Sequence, residues 1–364
     1  MAKLKNALSL FDGMSCGQIA LKKLGIKIGN YYASEIDKYA MQITKKNFPE
    51  TKFIGDVRSV KGKDYKDIDL LLGGSPCQGF SLAGKQLNFE DPRSKLFFEY
   101  VRILKEVKPK YFLLENVKMK KEYQDIITEY LGVEPIKINS SLLSAQNRER
   151  LYWTNIPNIE PPEEKGLVIA DILNIKIKEE EKENRIIMTK ENFKIKVRKN
   201  YIDKKEMAEY LRKQKIKNCI TIKELSKKIK ISKTKIEHWF RLDNSFSIPD
   251  PNNYFKLKEI LKLDDRYDKA VTEFEKKNNK YDMAKRIYHI KGKHPTLTTL
   301  TGGGQRKTIT DGKDKFYLTP VHCERLQTIP DDYTKGVSNT QRYKMLGNGW
   351  TVDVICHILK NIKE

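Results

Sequence analysis

The sequence predicts an α/β protein: a mostly parallel, doubly wound sheet with helices on both faces, joined to a smaller helical region. Three observations predict it. Short apolar runs alternate with amphipathic helical stretches through about residue 155. The apolar runs end in glycines and carboxylates, where an open parallel sheet keeps its chemistry. From 190 to 241 the chain turns basic, with 18 Lys/Arg against 6 Asp/Glu, and the alternation stops.

Residues 7–11, Ala-Leu-Ser-Leu-Phe, form the first predicted strand. The turn Asp12-Gly13-Met14-Ser15-Cys16-Gly17 leads into a helix carrying Ile19, Ala20, Leu21 and Leu24, capped by Gly25. A second strand over 31–34 ends at Glu35, Ile36 and Asp37. A helix over 39–47 stops at Pro49. The third strand, 53–55, ends at Asp56 and Val57, and the fourth is 68–72. A helix with Leu96, Phe97, Tyr100, Val101 and Leu104 inward precedes a strand over 111–114 that ends at Glu115-Asn116-Val117.

Gly73 and Gly74 break the fourth strand, and Pro76 fixes φ just before Cys77. A thiol on such a turn stands where the sheet places its chemistry. Taken alone, Cys77 is more simply a buried cysteine in a tight loop. The chain beyond it, Gln78 to Lys85, is expected to close on a substrate, with Ser81 a candidate contact.

The region from 156 to 289 differs from what precedes it and is expected to form a separate part. Thr221 and Glu224 spell a capping box opening a helix with Leu225 and Ile229 on one face. Ser232 caps a second helix with Ile236, Trp239 and Phe240 inward. Helices over 203–213 and 253–263 would flank the pair. Helix, short turn, helix is the pattern of a helix-turn-helix near 203–263, although plain helical hairpins with solvated lysines share it. The remaining chain, 290–364, returns to loops and short strands and closes with helices over 323–326 and 352–362. It is expected to complete the domain begun by residues 1–155.

The 364 residues carry a net charge of +23, which suits a polyanionic partner such as nucleic acid, although a lysine-rich composition gives the same number. No run approaches about 18 apolar residues, so no membrane span is expected. Five widely spaced cysteines with no CxxC pair argue against disulfides and structural zinc, and point to a reducing cytoplasm. No metal is expected, and the protein is expected to be a monomer.

Asp12 with Gly13 and Gly17, then Glu35 and Asp56, make a set of acidic strand ends with close backbone approach. A dinucleotide asks for GxGxxG, which is absent. Fewer glycines and an early acid suit S-adenosylmethionine better. Cys77 and Glu115 would end neighbouring strands. Arg148 and Arg150, two residues apart on an extended segment, can face one side. Each is a common strand-end residue alone. Together they describe one cleft.

These motifs, in this order, resemble the DNA cytosine-5 methyltransferases. They are Phe11-Asp12-Gly13, Pro76-Cys77, Glu115-Asn116-Val117, Gln146-x-Arg148-x-Arg150, a threonine-rich stretch at 295–299, and Gly347-Asn348-Gly349-Trp350. The forms around residues 8–13, 34–35 and 55–58 are similar to the animal de novo branch and to phage-type enzymes. The resemblance implies a Rossmann-like methyltransferase sheet and S-adenosylmethionine as cofactor. Phe11, Asp12, Gly13, Gly17, Glu35, Ile36, Asp56, Val57, Pro76, Asn348 and Trp350 would bind that cofactor.

The resemblance also implies that Cys77 attacks C6 of cytosine, Glu115 protonates or hydrogen-bonds N3, and Arg148 and Arg150 orient the base. The base must leave the duplex to be reached. Gln78 and Ser81 would touch DNA beside the active site. In the 156–289 region, which would read the sequence, Lys233, Thr234, Lys235 and His238 would face a groove of double-stranded DNA. The resemblance leaves a cognate restriction enzyme open. Two other readings share part of the pattern: a tRNA cytosine-5 methyltransferase, whose branch has a short middle region, and a catalytically dead DNA-binding regulator.

Overall fold

The computed structural model describes residues 3–75, 95–190, 194–243, 245–278, 286–299 and 307–362. The chain forms two compact units, Met1–Glu191 with Met283–Glu364, and Asn192–Asp282.

The first unit opens with β1 (Lys3–Leu10), α1 (Cys16–Lys23), β2 (Lys27–Ser34), α2 (Lys38–Asn47), β3 (Lys52–Phe53) and β4 (Ile68–Gly73). It continues with α3 (Lys95–Val107), β5 (Tyr111–Val117), α4 (Lys121–Leu131), β6 (Ile136–Asn139), β7 (Gln146–Asn147) and β8 (Glu149–Thr154). Seven strands make one sheet in the order β3-β2-β1-β4-β5-β8-β6. The first five are parallel, and β8 runs antiparallel to both its neighbours.

Successive residues of a strand point to opposite faces, and the cores sort accordingly. Ala7, Leu70, Leu72, Leu113 and Tyr152 join Ile19 and Ala20 of α1 in one core. Leu8, Leu71, Phe112, Leu114 and Trp153 join Phe97 and Tyr100 of α3 in the other. A strand covered on both faces reads as an unbroken apolar run, which is why Leu70-Leu71-Leu72 carries no polar alternation. The chain winds both ways from β1, so the loops after β1 and β4 part and leave a crevice at their carboxyl ends.

After α5 (Ile169–Ile172) and β9 (Met188–Lys190) comes the second unit. Its end strands β10 (Lys194–Arg198) and β11 (Phe274–Asn278) pair antiparallel. Between them lie α6 (Lys204–Lys217), α7 (Ile222–Ile229), α8 (Lys233–Glu237), α9 (Pro251–Leu261) and α10 (Asp268–Thr272). The caps are those the sequence spells: Asp203 accepts from Lys205 and Glu206 N–H, and Thr221 and Glu224 cap each other's backbone. Leu225, Ile229, Ile236, Trp239 and Phe240 are buried in a core of this unit's own residues, with Tyr254 and Leu257.

The first unit resumes with β12 (Arg286–His289), β13 (His294–Pro295), β14 (Thr308–Thr310), β15 (Lys315–Tyr317), α11 (Pro320–Leu326), α12 (Asn339–Asn348) and α13 (Val352–Leu359).

 Helix α13 spans Val352–Leu359. Strands β9, β12, β14 and β15 form a four-stranded sheet, and β13 pairs in parallel with β7. The second unit is narrower than the 156–289 region expected from the sequence. Val168, Ile169, Ala170 and Ile172 are buried in the core on the α1 side, and β9 is held by β12, so residues 156–190 and 286–289 belong to the first unit. Among the described residues no helix is long and apolar enough to cross a membrane.

Candidate active site

The loop after β1 is strongly contorted. Phe11, Gly13 and Ser15 all have left-handed backbones, with φ of 58°, 58° and 64°. Only glycine adopts this without strain, so outside bonds must hold the loop. Glu35, at the end of β2, supplies one: its Oε2 accepts from Gly13 N–H at 2.7 Å. Its Oε1 accepts from Ile36 and Asp37 N–H, each at 2.7 Å. Beside this carboxylate Ile36 is 72% exposed.

Several expected cofactor residues are engaged by neighbours within the fold. The Asp12 carboxylate is buried, accepts from the Tyr31 hydroxyl at 2.8 Å and keeps Oδ2 unpartnered. Burial pushes its pKa up to about 6, against the opposing pull of the Tyr31 hydroxyl and the nearby Ser9 and Ser15 hydroxyls. A Cβ on Gly17 would come within 2.6 Å of Leu72 Cδ1, so this glycine lets α1 lie close on the sheet. Val57 is buried in the α3-side core, which leaves no side chain for a ligand. Asp56 is half-buried and bonded to the Arg58 side chain and N–H, which hold it down at about 2. Phe11 is half-buried at the margin of the α3-side core.

At the neighbouring strand ends, Glu115 is 8% exposed. Arg150 Nε lies 3.0 Å from its Oε1, and Trp350 Nε1 donates to its Oε2 at 3.2 Å. Gly74 lies against both: a Cβ there would be 3.0 Å from Trp350 Nε1 and 3.3 Å from Glu115 Oε2. Asn116 Nδ2 donates to Ser75 Oγ at 3.2 Å, so β5 holds the end of the β4 strand turn directly. Trp350, expected among the cofactor residues, thus partners the carboxylate, while Asn348 is exposed at the end of α12.

Arg148 departs from the expected pairing with Arg150. It is 3% exposed, and its guanidinium donates to the carbonyls of Leu297, Gly347 and Gly349 at 3.4, 3.2 and 3.0 Å. The alternation argument fails here because Arg148 sits in the break between β7 and β8, so it is not two residues along a continuous strand from Arg150. Pro76, Cys77, Gln78 and Ser81 lie outside the described residues. In the second unit, Lys233, Thr234 and Lys235 are exposed on α8. His238 is half-buried, with Nδ1 2.9 Å from Ser245 O, so it is committed to its own loop rather than standing free on the helix.

Sequence reasoning missed the buried amide and hydroxyl network behind the cleft. Gln327 Nε2 donates to Leu346 and Gly349 O, and its Oε1 accepts from Gln146 Nε2 and Thr351 Oγ1. Nothing local marks Gln327, which reads as one more polar residue past a helix. Cys16 is buried beside the loop, and burial pushes its thiol up to about 12, which disfavours the thiolate. Among the described residues no group of His, Cys, Asp and Glu could hold a metal ion.

The chain is 29% identical to the orphan methyltransferase M.SPRI of Bacillus phage SPR, covering 100% of this chain and 98% of that one. It is 27% identical to the type II methyltransferase M.HhaI of Haemophilus parahaemolyticus, over 98% and 93% of the two chains. The solved structure of the Entamoeba histolytica methyltransferase EhMeth shares the fold with a TM-score of 0.58 at 16% identity, over 99% of both chains. A model of C-5 cytosine-specific DNA methylases matches residues 6–364, and the chain belongs to that family.

Proposed function

We propose that this enzyme methylates C5 of a cytosine turned out of a specific duplex DNA sequence, through a covalent adduct at Cys77. Members of the family use S-adenosylmethionine, which supplies the electrophilic methyl group. The residues present fit such a cofactor. Gly13 has open space where a Cβ would stand, Glu35 offers a carboxylate for hydroxyl groups, and Ile36 offers an exposed apolar face for a flat ring. Asp56, after β3, and Asn348, at the end of α12, are further candidates for polar contact, and Phe11, directly after β1, for apolar contact.

The observation that carries the reading is the setting of Glu115. It is buried, tied to Arg150 and Trp350, and packed against Gly74, three residues before Cys77. In the mechanism, the Cys77 thiolate adds to C6, and Glu115 delivers a proton or hydrogen bond to N3, so the charge entering the ring is neutralised. The resulting enamine carbon C5 would take the methyl group from the sulfonium, with S-adenosylhomocysteine as the leaving group. Loss of the C5 proton then restores the C5–C6 double bond and expels Cys77. Arg150 orients Glu115 and faces the base, whereas Arg148 acts by holding the carbonyls around Gly347 and Gly349. Gln78 and Ser81 contact the DNA beside Cys77.

The second unit is the target reader. What supports this is the pair α7 and α8, joined by three residues in a helix-turn-helix arrangement, with Lys233, Thr234 and Lys235 exposed on α8. Bisulfite sequencing of DNA from cells expressing the protein tests the whole reading. Protected cytosines in one fixed context are expected; methylated tRNA with unmodified duplex DNA would overturn it.

A further inference from the structure

The loop that binds the cofactor in this reading is held from outside by a segment near the other end of the sequence. The holding begins at Glu324 on α11, which is fully buried. Its carboxylate accepts from Asp332 N–H and Thr334 N–H, each at 2.8 Å, and from Arg342 Nη2 at 2.9 Å, as well as from the Thr334 hydroxyl. Arg342 Nε donates in turn to Thr334 Oγ1 at 2.8 Å. Residues 332 and 334 are therefore pinned on either side of Tyr333. The Tyr333 hydroxyl, buried with its ring, donates to the Met14 carbonyl at 2.7 Å.

Met14 lies between Gly13 and Ser15, two of the three left-handed residues of the β1–α1 loop. Such backbones persist only where the surroundings over-determine them. Glu35 holds the loop at Gly13 N–H, and Tyr333 holds it one residue on. The same segment also grips the neighbouring β2–α2 element. Asn47 Nδ2 donates to Tyr333 O at 3.1 Å, Lys46 Nζ to Lys335 O at 2.8 Å, and Lys344 Nζ to Asp37 Oδ2 at 2.7 Å. Asp37, two residues after Glu35, caps α2.

We propose that Tyr333 is a positioning residue for the methyl donor: its hydroxyl, set by the Glu324–Arg342 pair, fixes the Met14 peptide and so pre-organises the loop that receives S-adenosylmethionine. The proposal rests on the reading of residues 11–15 and Glu35 as the cofactor site. A loop already in its bound shape costs less to order on binding, so the hydroxyl acts on affinity rather than on the chemical step.

Tyr333→Phe removes one hydroxyl and keeps the ring. Titration calorimetry with S-adenosylhomocysteine should show binding weakened about tenfold, the loss of one buried hydrogen bond. The turnover number at saturating cofactor should stay at the wild-type value. An affinity within twofold of wild type, or a lowered turnover number with unchanged affinity, overturns the proposal. A measurement on the wild-type protein stands independently, because coupling between two sites is reciprocal. Adding S-adenosylhomocysteine should slow amide hydrogen exchange at Asp332, Tyr333 and Thr334, and unchanged exchange there overturns the proposal even if Tyr333→Phe does not fold. A wild-type protein that binds no S-adenosylhomocysteine would refute the cofactor site itself.

Discussion

Arg150 Nε stands 3.0 Å from Glu115 Oε1 across the boundary between β5 and β8. The register explains the pairing. Glu115 lies opposite Tyr152, and Arg150 is two residues away on the same face, a diagonal distance that only a long side chain spans. Tyr152, between them in register, is buried.

That relationship predicts a rate effect. Glu115→Gln keeps the shape and the Trp350 contact but cannot hand a proton to the base, so turnover should fall by roughly 10²–10⁴. Arg150→Lys should fall by about 10²–10³, because a point charge cannot replace a planar donor aimed from a fixed site. Single-turnover methylation assays measure both. Wild-type rates in Glu115→Gln would remove Glu115 from the mechanism.

Arg148 should behave differently from Arg150. Its three carbonyl partners lie on two segments, Leu297 on one and Gly347 and Gly349 on the other, and a lysine cannot satisfy them together. Arg148→Lys should destabilise the first unit by about 2–4 kcal/mol. Arg150→Lys should shift the unfolding midpoint far less. Urea unfolding of the two variants decides between a structural and a base-orienting role for each arginine.

Cys77 should be indispensable. Cys77→Ala should abolish methyl transfer, and wild-type protein should form a stable adduct on DNA containing 5-fluorocytosine, since fluorine at C5 cannot leave as a proton does. A gel-shifted, denaturation-resistant complex is the expected result; no adduct with active enzyme would contradict the covalent route.

Much of this was legible because it is local. The apolar run before Gly73 specifies a strand covered on both faces, and the capping residues Asp203, Thr221 and Glu224 stand where the helices of the second unit begin. Glu115 follows from its place at a strand end. The roles of Arg148, Gln327, Glu324 and Tyr333 were not legible, because each is defined by partners distant in sequence. Glu324 reads as an ordinary polar residue of a short helix, and only the folded chain brings Arg342 and Thr334 to it. The division at residue 191 was hidden for a similar reason: the apolar residues 168–172 say that they are buried, but not in which core.

Two buried titratable groups should give the first unit opposing pH dependences. Burial raises Asp12 to about 6, so the folded state holds its proton longer than the unfolded chain does. The stability it allows is complete below about pH 4 and is lost as pH rises through 6. Burial lowers His294 to about 4, so the unfolded chain takes up that proton first. Its stability is complete above about 6.5 and is lost as pH falls through 4. The slopes cancel in part near pH 5. Asp12→Asn should leave the His294 slope alone, a gain of about 3 kcal/mol between pH 4 and 6.5. His294→Gln should leave the reverse slope. Urea unfolding at stepped pH tests both, and parallel curves for the three proteins would contradict the assignment.

The exposed residues of α8 make a prediction about salt as well as affinity. Ile236, Trp239 and Phe240 point into the unit's own core, which leaves Lys233, Thr234 and Lys235 outward. A lysine that contacts phosphate releases counterions on binding, so its removal should weaken binding to all duplexes alike and lower the slope of log affinity against log salt by about one per lysine. Lys233→Ala and Lys235→Ala should both do this. Thr234→Ala should instead reduce the preference for the target sequence by about 1–3 kcal/mol per lost base contact while leaving the salt slope in place. Fluorescence anisotropy on target and scrambled duplexes at several salt concentrations separates these outcomes. Trp239→Ala is the control for folding: emptying that core should cost about 3–5 kcal/mol and abolish selectivity without removing any exposed group. If Lys233→Ala and Lys235→Ala bind every duplex as wild type does, with the same salt slope, α8 is a solvated helix and the target is read elsewhere.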